Sequence, residues 1–437
     1  MKARLAALLA LVAVAACLLA PAARAGQGIS VVASQRLDGR LTDLTLSTPA
    51  LSSPRHVRVL VPAGYAGHPD ARYPVLYLLH GALADWRSWT DAGDAERITA
   101  GLNAIVVMPE GGNGGWYTDW LNGGAGGPPE WETFHIDQLI PWIDGHYRTV
   151  ADRDGRAIAG LSMGGFGAMS YAARHPDLFV WAASFSGAVD IVNNAPVAVV
   201  IAAEAPADGG KPDDQFGDRV ANEIVWRAHN PWDLAGNLRG LVLRIDTGNG
   251  QPGPYDDPTR LFDPIEDQVH AMSLSLHQRL GALGIDHTWD DYGPGTHTWP
   301  YWQRDLRQAL PSLTTTFAHP PAAPSPFTFT AAESDYDAYG WDVRLDRAGL
   351  AFTTLADAGP SGFRVRGAAG HASVTTGPLY KPRSPHRVTV GSAAPRRQRA
   401  DAQGRLRVDL PGDGTVRIGA TAKGRRTGKP STTLKGV

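Results

Sequence analysis

Between about residues 55 and 316, short apolar runs alternate with longer stretches in which apolar positions recur at helical spacing. The runs at 56–61, 74–79, 104–108, 156–159, 181–186, 241–246 and 287–291 are predicted strands, and 134–147, 166–174 and 267–283 are predicted helices. Several strands are apolar at nearly every position, which requires cover on both faces. The pattern therefore predicts an α/β domain built on a mostly parallel sheet.

The pattern breaks at residues 317–326, where "AHPPAAPSP" supplies four prolines that neither a helix nor a sheet interior accommodates. This reads as a semi-rigid linker. Beyond it, period-two runs at 341–345, 362–365, 386–390, 406–410 and 415–418 are separated by Gly, Pro and Asp, predicting a small β-rich domain over 327–437 with a frayed end from about Gly419.

Charge follows the same division. Residues 327–437 hold 18 Lys and Arg against 9 Asp and Glu, a net +9, whereas the rest holds 23 against 34, a net −11. A basic module of this kind suits anionic cell-envelope polymers, or serves only as a solubilising surface. No nucleic-acid partner is expected.

The first residues form a separate unit. Lys2 and Arg4 precede an apolar run at 5–20, and Ala23-Arg24-Ala25 offers a small-x-small cleavage site before Gly26. Residues 1–25 are therefore expected to be a secretory signal peptide, and 26–316 the catalytic domain of a secreted, extracellular or envelope-associated protein. Val14-Ala15-Ala16-Cys17 offers lipid attachment as an alternative. Cys17 is the single cysteine among 437 residues, so no disulfide framework is expected.

Candidate chemistry centres on "GLSMGG", residues 160–165, placed between a predicted strand and a predicted helix. A serine hydroxyl needs a nearby base, an acid behind that base and donors for an oxyanion; a strand-to-helix elbow with small neighbours presents it. In chain order nucleophile, acid, histidine, the base should follow the last strand, where "YGPGTHTW" places His297. Among the aromatics Trp116, Trp120, Trp131 and Trp299, only Trp299, two residues from His297, is read as substrate-binding. The others are read as packing. The acidic stretch "PYDDPTRLFDPIED" fits no EF-hand spacing and "GGNGG" lacks the lysine of a phosphate loop, so no metal and no cofactor is expected.

The stretches "GWYTDW" (115–120), "EWETF" (130–134), "GLSMGG", "DTGNGQP" (246–252) and "GTHTWPYW" (295–302) resemble the esterase family that includes S-formylglutathione hydrolases and the antigen 85 mycolyltransferases. The resemblance covers roughly residues 40–310. It implies an α/β-hydrolase fold and serine acyl transfer, with Ser162 as nucleophile and His297 as base. Its motif sets Glu266 on the acid position, while a register slipped by one helical turn would give Asp263; Asp256 and Asp257 are lesser rivals. The oxyanion donors it implies are the amides of Met163 and Ala82. The mycolyltransferases carry an acidic residue where His80 precedes Gly81, and an arginine where Leu83 stands, so trehalose recognition is not implied. His80 is expected to shape the oxyanion loop and contact substrate. The expected substrate is a small-molecule or lipid ester, and the acyl acceptor is water or a sugar or alcohol. The competing expectation is a non-catalytic envelope-binding protein on a hydrolase fold.

Overall fold

The computed structural model describes residues 28–420. The expected signal peptide, Cys17 and the basic end after Ala420 lie outside the described residues.

Nine strands form the first sheet: β1 (Ser30–Arg36), β2 (Leu41–Ser47), β3 (Arg55–Leu60), β4 (Val75–Leu79), β5 (Ile105–Pro109), β6 (Arg156–Leu161), β7 (Trp181–Phe185), β8 (Val242–Thr247) and β9 (Thr288–Asp291). Their order is β1-β2-β3-β5-β4-β6-β7-β8-β9, antiparallel as far as β5 and parallel from there on. The helices are α1 (Ser88–Asp91), α2 (Ala95–Ile98), α3 (Ile140–His146), α4 (Met163–Arg174), α5 (Ala195–Glu204), α6 (Glu223–His229), α7 (Pro264–Ala282) and α8 (Trp299–Ala318).

Side-chain alternation explains why the central strands read as unbroken apolar runs. In β4, Val75, Tyr77 and Leu79 enter one core with Phe166 and Met169 of α4 and Val269, Met272 and Leu276 of α7. Leu76 and Leu78 enter the other, against Trp302, Leu306, Ala309 and Leu313 of α8. This is the α/β-hydrolase fold.

The predicted helix at 134–147 is instead a π-helical stretch, Thr133–Leu139, continued by α3. Pro141, near the start of α3, has no N–H to bond into the turn before it. The helix before the linker runs to Ala318, two residues beyond the expected domain end. It stops where His319 precedes Pro320, because a residue before proline is disfavoured in helical conformation. The strands β1 and β2 were not anticipated: every residue of β1 is exposed and it pairs only with β2.

After the linker the chain forms an antiparallel β-sandwich. One sheet has the order β10 (Phe327–Ala331), β13 (Thr353–Gly359), β14 (Gly362–Arg366), β19 (Gly414–Ala420), β16 (Pro385–Val390), β17 (Arg396–Arg399). The other runs β11 (Asp335–Ala338), β12 (Trp341–Leu345), β15 (Ala372–Thr375), β18 (Arg407–Leu410). Gly419, the expected start of the frayed end, is inside β19 and pairs with Arg387. The edge strand β10 lies against residues 235–238 of the first unit, where the Asn237 side chain donates to the Thr330 carbonyl (2.8 Å) and accepts from its N–H (2.9 Å). Arg174 at the end of α4 reaches Glu333 at 2.8 Å.

Candidate active site

Ser162 sits between the end of β6 and the first residue of α4, at φ 55° and ψ −121°. A serine rarely adopts that backbone, and the surroundings must hold it there. They do so by close approach. A Cβ on Gly160 would lie 2.2 Å from the Gly164 carbonyl oxygen, and one on Gly164 would lie 2.5 Å from the His80 carbonyl oxygen. The helix therefore comes down on the sheet where a side chain cannot fit. We expect Gly160→Ala to destabilise the protein by about 1–3 kcal/mol as backbone is pushed aside. Denaturant unfolding checks this: a midpoint equal to that of the unsubstituted protein would contradict it.

The 80s loop, the α7 start and the loop after β9 converge on this serine. His297 Nε2 lies 2.9 Å from Ser162 Oγ, and His297 Nδ1 lies 2.7 Å from Glu266 Oε2. With the Nδ1 proton donated to the carboxylate, Nε2 is left to accept from the serine hydroxyl. Glu266 is fully buried, and its other oxygen accepts from Ser186 Oγ (2.8 Å), the Gly248 amide (2.7 Å) and Thr247 Oγ1 (3.3 Å).

Asp263, the alternative acid, does something else. It caps α7, accepting from the amides of Ile265 and Glu266, and it also accepts from the His297 backbone N–H at 3.1 Å. Burial works against its charge, but Arg260 and these three amides outweigh it and hold the carboxyl below the usual carboxylate range. Asp256 accepts from Thr296 and Tyr301, and Asp257 from Thr259, so neither reaches the imidazole.

The residues expected to supply the oxyanion donors, Ala82 and Met163, line the same cavity as Ser162. Met163 is the first residue of α4, where an amide has no partner four residues back. Ala82 follows Gly81, whose added Cβ would lie 2.6 Å from Leu161 Cδ1 and 3.2 Å from Ser162 Cβ, so a side chain here would crowd the loop against the serine. The next amide, Leu83, is already given to the Asn113 carbonyl at 2.8 Å, which pins the loop from the far side.

His80 does not contact the cavity, contrary to the expectation from sequence. It is 1% exposed: Nε2 accepts from the Gly111 amide and Nδ1 donates to the Gly81 carbonyl, each at 2.8 Å. Satisfying buried backbone groups on both sides, it braces the loop that carries Ala82.

The serine opens into a cavity of about 370 Å³ walled mainly by apolar side chains, among them Leu83, Val197, Val200, Val269, Met272 and Trp299. Trp299 packs edge-on to Trp89 and Trp302, and Trp302 in turn packs edge-on to the His297 ring at 4.9 Å. Trp120 and Trp131 are buried as expected, but Trp116 also lines the cavity. Its Nε1 donates to Glu204 Oε2 at 2.8 Å.

Glu204, the last residue of α5, was not anticipated from sequence. Among the described residues it is the one acidic side chain on the cavity wall. Burial pushes its carboxyl up to about 7, Trp116 pulls the other way and Asp208 adds to the rise. A raised carboxylate contributes most to stability while protonated, below the ordinary range, and loses that contribution as pH climbs through about 7. Glu204→Gln, which cannot ionise, is accordingly expected to remove part of the fall in Tm between pH 5 and pH 8. An unchanged slope in scanning calorimetry would refute it.

Residues 48–313 match the model of the family Esterase. The esterase Rv1288 of Mycobacterium tuberculosis is 36% identical over 279 residues, 62% of this chain and 59% of that protein, so the chain spans about three fifths of that relative's length. The diacylglycerol acyltransferase/mycolyltransferase Ag85B of Mycobacterium leprae is 30% identical over 280 residues, 62% of this chain and 83% of that protein. Among solved structures, MPT51 of Mycobacterium tuberculosis shares the fold with a TM-score of 0.52 at 24% identity, over 63% of this chain and 97% of that one.

Proposed function

From the premise that this chain belongs to the Esterase family of α/β-hydrolases, we propose that it is a serine carboxylic-ester hydrolase or acyltransferase. The observation that carries the reading is the continuous line of hydrogen bonds from Ser162 through His297 to Glu266, with the serine opening into a mainly apolar cavity.

In the first half-reaction Ser162 Oγ adds to the ester carbonyl as His297 Nε2 takes its proton. The Glu266 carboxylate holds the imidazole in register and supports the imidazolium. The carbonyl oxygen becomes an oxyanion between the amides of Ala82 and Met163, each such donor contributing about 2.7–4 kcal/mol to the transition state. Collapse breaks the bond to the alcohol, which leaves with the proton from His297, and the acyl group stays on Ser162. In the second half, water or a sugar or alcohol repeats the cycle in reverse. The apolar wall suits an aliphatic or aromatic acyl group of a small-molecule or lipid ester. The names of the relatives, an esterase and a lipid acyltransferase, support both outcomes. Export rests on the composition of residues 1–25.

The test is labelling by a fluorophosphonate probe, followed by mass spectrometry of products from a p-nitrophenyl ester with and without a sugar acceptor. Labelling that disappears in Ser162→Ala supports the reading. No labelling of the unsubstituted protein, or equal labelling of both, would overturn it. Free acid alone identifies a hydrolase, and an acylated sugar a transferase.

A further inference from the structure

In the six-stranded sheet of the sandwich, Phe363 and Val365 of β14, Val416 and Ile418 of β19 and Val388 of β16 point into the core. Alternation then fixes what points out: Arg364 and Arg366 of β14, Arg417 of β19 and Arg387 of β16. Across the β16–β17 ladder, Arg397 lies opposite Arg387, and Arg399 opposite Pro385, on the same outer side. Six arginines therefore share one face over four adjacent strands, a width of about 15 Å at the usual strand spacing.

Little on the protein answers this charge. Arg364 pairs with Asp357, but among the described residues none of Arg366, Arg387, Arg397, Arg399 and Arg417 makes an ion pair. The strands β14, β16, β17 and β19 contain no acidic residue. Of the nine acidic residues in 327–437, four lie on the opposite sheet, Asp335 and Asp337 on β11, Asp342 on β12 and Asp409 on β18, and the six-stranded sheet carries one, Asp357 on β13. Sorting of this kind is not what a uniformly solvated surface needs. Like charges directly across a ladder, as at Arg387 and Arg397, cost stability.

Protection of an exposed edge accounts for arginines on β17, which ends the sheet. It does not account for those on β14, β19 and β16, which have neighbours on both sides. There Arg364, Arg417 and Thr415 border a depression of about 470 Å³. The edge that meets the first unit is β10, at the other end of the sheet, so the basic strands are left uncovered.

We propose that this outer face of the sandwich binds an extended anionic polysaccharide. Guanidinium forks match carboxylate and sulfate oxygens in pairs, and a flat row of them suits a chain that lies across the strands. The outward positions on β14, β16, β17 and β19 carry no aromatic ring on which bases would stack, as single-stranded nucleic acids require.

The test uses the full chain in affinity electrophoresis through gels containing polygalacturonate, heparin or neutral dextran, with DNA and anionic phosphatidylglycerol vesicles compared separately. We expect retardation by at least one anionic polysaccharide, none by dextran, and release on raising salt. Combined Arg387→Glu and Arg417→Glu should weaken binding at least tenfold while p-nitrophenyl ester hydrolysis stays within twofold. The milder pair Arg387→Gln and Arg417→Gln serves if charge reversal impairs folding. Absence of retardation, equal retardation of the variants, or tighter binding of DNA or vesicles than of either polysaccharide would overturn the proposal. A failure here with intact probe labelling at Ser162 would leave the enzymatic reading standing.

Discussion

Ser162→Ala is expected to lower kcat/KM for a p-nitrophenyl ester by about 10⁵-fold while leaving the melting temperature close to its original value. In the proposed mechanism the hydroxyl forms the acyl bond, and among the described residues lining the cavity Ser162 carries the one hydroxyl. His297→Ala should cost a comparable factor, because the serine then has no base within 2.9 Å. The two together should cost hardly more than either alone, since groups that act as one unit are not additive. Residual turnover within tenfold of the unsubstituted protein would mean that the chemistry runs elsewhere.

The second large effect separates two carboxylates three residues apart. Glu266→Gln should reduce kcat by about 10³ to 10⁴-fold, because an amide facing His297 Nδ1 favours the wrong tautomer and cannot support the imidazolium. Asp263→Asn should act mainly on stability. It weakens a helix cap and the bond to the His297 amide, a loss of about 0.5–2 kcal/mol, with kcat reduced less than about tenfold. Steady-state kinetics and denaturant midpoints measured on both variants decide the matter. The reverse ranking of their kcat values would assign the acid role to Asp263.

How far these features could be read from the chain depended on the range over which each is specified. Ser162 was legible because its glycines, the strand before it and the helix after it are neighbours in sequence. His297 was legible from its place after the last strand. Glu266 needed a family motif, because Asp263 caps helix α7 about one turn before it and nothing local says which of the two carboxylates turns toward the imidazole. Glu204 escaped entirely. Its segment "APVAVVIAAE" reads as an apolar helix, and its role comes from Trp116, 88 residues earlier in the chain. For His80 the loop-shaping part of the reading agrees with its place and the substrate contact does not, because its partners are the backbone groups of Gly81 and Gly111, which leave no trace in side-chain pattern. In the sandwich, β17 "RRQR" has no apolar residue and exists as a strand only because β16 lies beside it.

Helix α4 begins just after Ser162 and, about 18 Å later, ends at Arg174. That guanidinium is held by Glu132, by the Ala228 carbonyl and by Glu333 of the sandwich, each at 2.8 Å. Trimming the chain after Ala318 to obtain a minimal enzyme would strip one of these three anchors and uncover the residues that meet β10. A drop in turnover after such trimming would therefore report a loosened foundation under the serine, and would say nothing about whether the sandwich takes part in choosing substrates.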